Sequence, residues 1–304
     1  MKSTSILVSV LILSLLMVSC SNDDSEKPQE PFGDYEGGIL VSNEGPFGNG
    51  TGTVTFVSND LTVTESSIYN KVNGEDLGNI VQSIGFDGDQ AYIVANNSNK
   101  ITVVNRYTFQ KMGSITEGLD NPRYFASVNN TGYVTNWGDP FDETDDYVAI
   151  INLQNFTVEG TISVVLGPED IIAKDNTIYV AHQGAYGQNN KITAIDASTN
   201  SILETITVGD VPNSLVLDAQ GNLWVLSGGN PSYTDNETAG VLTKINTSTN
   251  EVVNALEFQV TDHPGLLSSD GVDIYYQLNG AVYKMNTSDT SLPSGPKFGG
   301  VAFY

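Results

Sequence analysis

Gly132–Tyr147 reads GYVTNWGDPFDETDDY, and its first five residues decide the fold. Gly132-Tyr133-Val134-Thr135-Asn136 places an aromatic and two β-branched residues between turn formers, a composition that fits a short pleated strand. Versions of it recur along the chain as Gly38-Ile39-Leu40-Val41, Gln90-Ala91-Tyr92-Ile93-Val94, Thr177-Ile178-Tyr179-Val180, Asn222-Leu223-Trp224-Val225 and Asp273-Ile274-Tyr275-Tyr276. The second half of the stretch, Trp137 onward, differs from its counterparts: it brings Trp137, Phe141 and five acidic residues into a loop between two strands.

Working outward from this strand, a Pro-containing turn and a short apolar strand precede it four times, at Pro122, Pro168, Pro212 and Pro264, which are 46, 44 and 52 residues apart. A third, alternating strand follows and ends on Ser58, Asn105, Asn152, Asp196, Asn246 or Asn286. A fourth comes next, as in Ser201–Val208. Four strands per unit of forty to fifty residues predict an all-β β-propeller, because one such sheet cannot bury both faces alone and must pack against its neighbours. A two-sheet sandwich would show fewer and less regular repeats.

At this point a resemblance is specific: Tyr133-Val134-Thr135-Asn136 spells the repeat signature of the YVTN-type, YncE-like propellers of bacterial surface proteins, and Leu203–Ser214 (LETITVGDVPNS) is similar to the same family. The family implies seven four-stranded blades, with the last cut off at Tyr304. Read without it, the repeats number six, the first lacks an innermost strand, and Gly299-Gly300-Val301-Ala302-Phe303-Tyr304 resembles such a strand, so six blades closed by the C-terminal strand is the alternative.

Three segments are expected: 1–19, 20–36 and 37–304. Lys2 and the apolar run Ile6–Val18 are too short for a comfortable bilayer span and read as a secretory signal peptide. Cys20 is the single cysteine, so an intrachain disulfide is impossible. Met17-Val18-Ser19-Cys20 resembles a bacterial lipobox, which implies lipidation of Cys20; otherwise it is a thiol within a cleaved leader. Residues 20–36 are acidic and aperiodic and read as a flexible tether. The acidic run after Cys20 resembles the export signal of Bacteroidetes-type lipoproteins, which implies an outer-membrane, cell-surface location; a solvated linker is the bland reading. The propeller fills residues 37–304.

The formal net charge of −24, from 36 acidic and 12 basic residues, argues against nucleic acid and against direct docking on anionic lipid. Membrane contact is then expected through the lipid anchor only.

The candidate binding residues sit in the loops joining second to third strands, which emerge on one face: Phe47, Trp137, Asp139, Phe141, His182, Tyr186 and Tyr233. Aromatic tips around one rim suit stacking on a flat or ring-containing ligand; the alternative for each is a ring folded back as a loop plug. The acidic residues Asp139, Asp142, Glu143, Asp145 and Asp146 lack EF-hand spacing and read as a solvated loop rather than a calcium site. His182 and His263 are the two histidines and lack zinc-ligand spacing. No nucleophile elbow or phosphate loop appears, no catalytic residue, metal or cofactor is assigned, and a glycosidase-type carboxylate pair stays open. The chain also resembles BtuG-type surface lipoproteins, which bind cobalamin and cap a TonB-dependent transporter. That resemblance implies a non-catalytic protein whose ligand is a small nutrient, a corrinoid such as cobalamin, and whose partner is such a transporter. Two other classes are kept: an adhesion or interaction propeller that binds glycan or protein, and a propeller enzyme such as a lactonase or lyase.

Overall fold

The computed structural model describes residues 32–300; the expected signal peptide, Cys20, most of the expected tether and Val301–Tyr304 lie outside the described residues. Described residues form six antiparallel sheets in sequence order. The first comprises β1 (Gly38–Asn43), β2 (Thr53–Ser58) and β3 (Thr64–Glu65), followed by the short helix α1 (Ile68–Asn73). The second is β4 (Val81–Asp87), β5 (Gln90–Ala95), β6 (Lys100–Asn105) and β7 (Lys111–Ile115), and the third β8 (Pro122–Val128), β9 (Thr131–Asn136), β10 (Tyr147–Asn152) and β11 (Thr157–Ser163). The fourth is β12 (Pro168–Lys174), β13 (Thr177–His182), β14 (Lys191–Asp196) and β15 (Ser201–Thr207). The fifth is β16 (Pro212–Leu217), β17 (Leu223–Ser227), β18 (Val241–Asn246) and β19 (Glu251–Glu257), and the sixth β20 (Gly265–Ser269), β21 (Asp273–Leu278), β22 (Ala281–Asn286) and β23 (Phe298–Gly299). Each is an up-and-down meander, and successive sheets pack through their first strands, as propeller blades do. Among the described residues no helix is long and apolar enough to cross a membrane.

Six blades, the alternative read from the repeat count, is what the described residues form; they include no seventh sheet. Phe298 and Gly299 pair with Val282 and Ala281, so β23 is the outer strand of the sixth blade. Of the strand expected over Gly299–Tyr304, the residues after Gly300 lie outside the described residues. Among the described residues the first blade has three strands. Its β1 stands where the other blades carry their second strand, against β4 of the next blade.

Local chemistry explains the repeat. The Asn or Asp ending each third strand folds back as an Asx turn: Asn105, Asn152, Asp196, Asn246 and Asn286 accept, through Oδ1, the backbone N–H two residues on. In the second to fifth blades a residue with positive φ (Phe109, Phe156, Asn200, Asn250) then leads into the fourth strand. A register shift recurs between third and fourth strands at Val103/Val104, Ile150/Ile151, Ala194/Ile195 and Lys244/Ile245, and such bulges add to the twist that blade packing needs.

The core is a series of layers between neighbouring blades. Ile93 and Val54 meet between the first and second, Val94 and Ala149 between the second and third, Tyr133 and Ile178 between the third and fourth. Ala181 and Val225 follow, then Leu226 and Ile274. Tyr133, Val134, Thr135 and Asn136 are fully buried, as a scaffold strand requires. Phe32–Glu36, at the end of the expected tether, lies across the first and second blades: Phe32 stacks on Tyr107 of the second, and Tyr35 meets Phe56 of the first and Phe109 of the second edge-on.

Candidate ligand-binding site

Two repeated backbone devices build one face of the propeller. The first is a bulge at the start of each innermost strand. Register shifts after Val81, Pro122, Pro168 and Pro212 leave Gln82, Arg123, Glu169 and Asn213 outside the ladder, and bulges of this kind re-aim side chains at rims. The backbone carbonyls of two of these residues are held by the preceding blade: Ser83 Oγ donates to Arg123 O (2.7 Å) and Thr135 Oγ1 to Glu169 O (2.7 Å).

The pairing that results joins two blades. Arg123 Nε and Nη2 donate to Glu169 Oε2 and Oε1, each at 2.8 Å, a bidentate geometry that fits guanidinium to carboxylate. Both side chains are nearly enclosed, and the Arg123 guanidinium lies 4.0 Å from the Trp137 ring centroid. Burial works against the Arg123 charge, but the Glu169 carboxylate outweighs it and raises the guanidinium pKa above its ordinary value.

The second device is the loop between second and third strands. In the third blade Trp137 N–H and Gly138 N–H donate to the carbonyls of Asn121 and Asp120 (3.2 Å each), while Asn121 Nδ2 donates to Gly138 O (2.7 Å). This clamp lays the indole over Arg123. Gly138 has φ of +61°, and a Cβ there would stand 2.5 Å from the Asp145 carboxylate, so a side chain would have to hold a left-handed backbone and push Asp145 aside. The acidic residues then brace the loop from within. Asp145 accepts from Asp139 N–H (2.9 Å), Asp139 from Phe141 N–H (3.1 Å), and Asp142 from Thr144 N–H (2.9 Å). Asp146 Oδ1 accepts from Gly167 N–H (2.9 Å). Among the described residues no group of three or more His, Cys, Asp or Glu is arranged to hold a metal ion.

Three of the expected aromatics converge. Phe47, Trp137 and Tyr186, from the loops of the first, third and fourth blades, line one cavity of about 480 Å³. Asn79 pins the Phe47 loop by accepting from Gly48 N–H (3.0 Å) and donating to Pro46 O (2.7 Å). Tyr186 sits in a turn closed by Gly187 N–H and Gly184 O, edge-on to Trp137 (6.2 Å) and against Phe141 (5.2 Å). Exposure divides them: Phe47 is 79% exposed, Tyr186 65% and Phe141 83%, while Trp137 is 9% exposed and serves as wall. The indole N–H of Trp137 has no acceptor among the described residues. Gln82, Asn96, Asn97, Asn121, Glu44 and Arg123 make up the polar lining.

Other expected residues fall elsewhere. His182 is fully buried at the end of β13, its Nε2 2.9 Å from Thr193 Oγ1, and burial pushes its pKa down to about 4; it does not reach the rim. Asp139 is occupied with its own loop. Tyr233 projects into a neighbouring concavity of about 310 Å³ that also holds His263. There His263 Nδ1 is 2.8 Å from Gly228 O, and Nε2 is 3.2 Å from Glu237. The sequence reading missed Arg123, Glu169 and Gln82. A signal was present: they occupy one repeat position, the second residue of each innermost strand, and two successive copies carry opposite charges.

No curated protein matches the chain. Solved structures match at the level of fold. A chain of the Kuenenia stuttgartiensis hydrazine synthase is 18% identical with a TM-score of 0.53, covering 70% of this chain and 67% of that one. BamB from Moraxella catarrhalis is 12% identical with a TM-score of 0.52, covering 88% and 75%. A chain of the mitotic checkpoint complex is 11% identical with a TM-score of 0.59, covering 84% and 73%. The family model described as "Domain of unknown function (DUF5074)" matches residues 37–298, and the chain belongs to that family.

Proposed function

We propose that this protein is a non-catalytic binding propeller that captures a small, flat, ring-bearing nutrient on the face carrying Phe47, Trp137 and Tyr186. The observation that carries the reading is the convergence of those three rings from three blades on one cavity of about 480 Å³, within the size range of small-molecule sites. A corrinoid such as cobalamin, received at the cell surface by a lipid-anchored protein and handed to a TonB-dependent outer-membrane transporter, is the specific form we adopt. It rests on the lipobox-like Met17–Cys20 and the likeness to BtuG-type lipoproteins. A corrinoid is larger than the cavity, so only part of it would be enclosed and the rest would lie across the mouth.

A second reading, glycan binding, is favoured by the amides of Gln82, Asn97 and Asn121 beside the rings, a combination that stacks on and hydrogen-bonds to sugars. Titration calorimetry with cyanocobalamin decides between them. Saturable heat, weakened in the exposed-residue variant Phe47→Ala/Tyr186→Ala, supports the corrinoid form. No heat with correctly folded protein removes it, and a glycan array then tests the second reading.

A further inference from the structure

The cavity has two charged residues in its lining, Glu44 and Arg123. Arg123 is the one base there, and it is already spent: two of its N–H donors bind Glu169 at 2.8 Å, and Trp137 covers the guanidinium. Glu44 is exposed and joins no ion pair among the described residues. An anionic ligand would therefore meet an open carboxylate and a neutralised guanidinium, on a chain of formal net charge −24. The guanidinium N–H groups not bound to Glu169 can still donate to neutral oxygens.

We propose that Glu169 is a specificity-determining residue: by neutralising Arg123 it tunes the cavity to neutral, ring-bearing ligands with amide or hydroxyl substituents and turns away phosphorylated or carboxylated ones. This rests on the reading of the cavity as a ring-binding site. Removing the Glu169 charge while keeping its shape uncovers a cation beside three aromatic rings, the arrangement that captures aromatic anions.

The test uses two probes that share one ring, 4-nitrophenyl β-glucoside, which is neutral, and 4-nitrophenyl phosphate, which is anionic. Quenching of Trp137 fluorescence reads binding; the other tryptophan, Trp224, is fully buried between the fifth and sixth blades and provides a constant background. The native protein should bind the glucoside at least about tenfold more tightly than the phosphate. Glu169→Gln should raise phosphate affinity about tenfold, and Arg123→Gln/Glu169→Gln should abolish that gain. Should Glu169→Gln fail to fold, Glu44→Gln, at an exposed position, should raise phosphate affinity about threefold. Phosphate binding to the native protein as tight as glucoside binding, or no gain in the variant that folds, overturns the proposal. If neither probe quenches the native protein while Glu169→Gln takes up phosphate, the charge assignment stands and the ring-binding reading fails.

Discussion

Tyr133 Oη donates to Asn200 Oδ1 at 2.8 Å across 67 residues of sequence, tying the second strand of the third blade to the Asx turn of the fourth. The same bond recurs one blade on, where Tyr179 Oη donates to Asn250 Oδ1 at 2.8 Å. Each phenol sits in a fully buried aromatic ring, so the hydroxyl needs a partner, and the next blade supplies one at a turn the repeat makes anyway. Blade spacing is thereby set by a polar bond as well as by apolar packing.

Tyr133→Phe removes this bond and leaves the ring. It should lower unfolding stability by about 1 kcal/mol in a denaturant titration. Asn200 has φ of +54°, so Asn200→Gly is the clean partner change, and a double-mutant cycle should give a coupling of about 0.5–1.5 kcal/mol. Additive single effects would mean the blades are spaced by packing alone.

At the cavity, Tyr186→Ala should weaken ligand binding by about 1 kcal/mol or more, and Phe141→Ala by about 0.5 kcal/mol, because Phe141 acts by supporting the Tyr186 ring. Both residues are exposed, so melting temperatures should stay unchanged. Trp137→Ala differs: it uncovers the Arg123–Glu169 pair and should lower stability as well as affinity.

Gly138→Ala should cost about 1–3 kcal/mol, since it combines a positive φ with a clash against the Asp145 carboxylate. Proteolytic nicking should then appear within residues 137–146, while the far-ultraviolet circular dichroism of the blades is retained. An intact loop in the variant would show that the clamp to Asn121 holds it alone.

Two carboxyls predict the pH response. Burial raises Asp170 to about 7, against the opposing pull of N–H bonds from Leu215 and Ile171. Burial likewise raises Asp146 to about 6, with the charges of Asp145 and Asp142 adding to it and the Gly167 N–H opposing. A raised folded value means that the folded chain holds these protons more tightly than the unfolded one. As far as these groups decide it, stability should be greatest below about pH 4, should fall as pH rises from there by up to about 1.4 kcal/mol per unit for each group, and should level off above about 6 for Asp146 and about 7 for Asp170. Asp170→Asn should flatten the upper part of that slope. A stability that rises between pH 5 and 8 would contradict this.

The scaffold was legible because its chemistry is local and repeated. Asx turns at Asn105, Asn152, Asp196, Asn246 and Asn286 fix where strands end, and the buried second strands carry Tyr92, Tyr133, Tyr179 and Trp224 at one position. The aromatic half of the site was legible too, since loops between second and third strands must share a face. What sequence could not give was depth and pairing. His182 closes a strand in the same register as Asn136, and only the packed blade shows it turned onto Thr193 instead of toward the rim. The partnership of Arg123 with Glu169 depends on a bulge at each strand start, and periodicity reports the repeat without reporting which side chain the bulge expels.

The three-stranded first blade has a mechanical meaning. Among the described residues β1 is joined to its sheet by β2 alone, through six register pairs from Gly38–Ser58 to Asn43–Thr53, and Ile39 and Val41 stand open where other blades bury their second strand. It is also the strand nearest the N-terminus. Tension applied through residues 20–36 must first strip Phe32 and Tyr35 from the first two blades and then falls on this singly held strand, so under force the described propeller should yield by peeling at its first blade, with the five four-stranded blades acting as the anvil behind it.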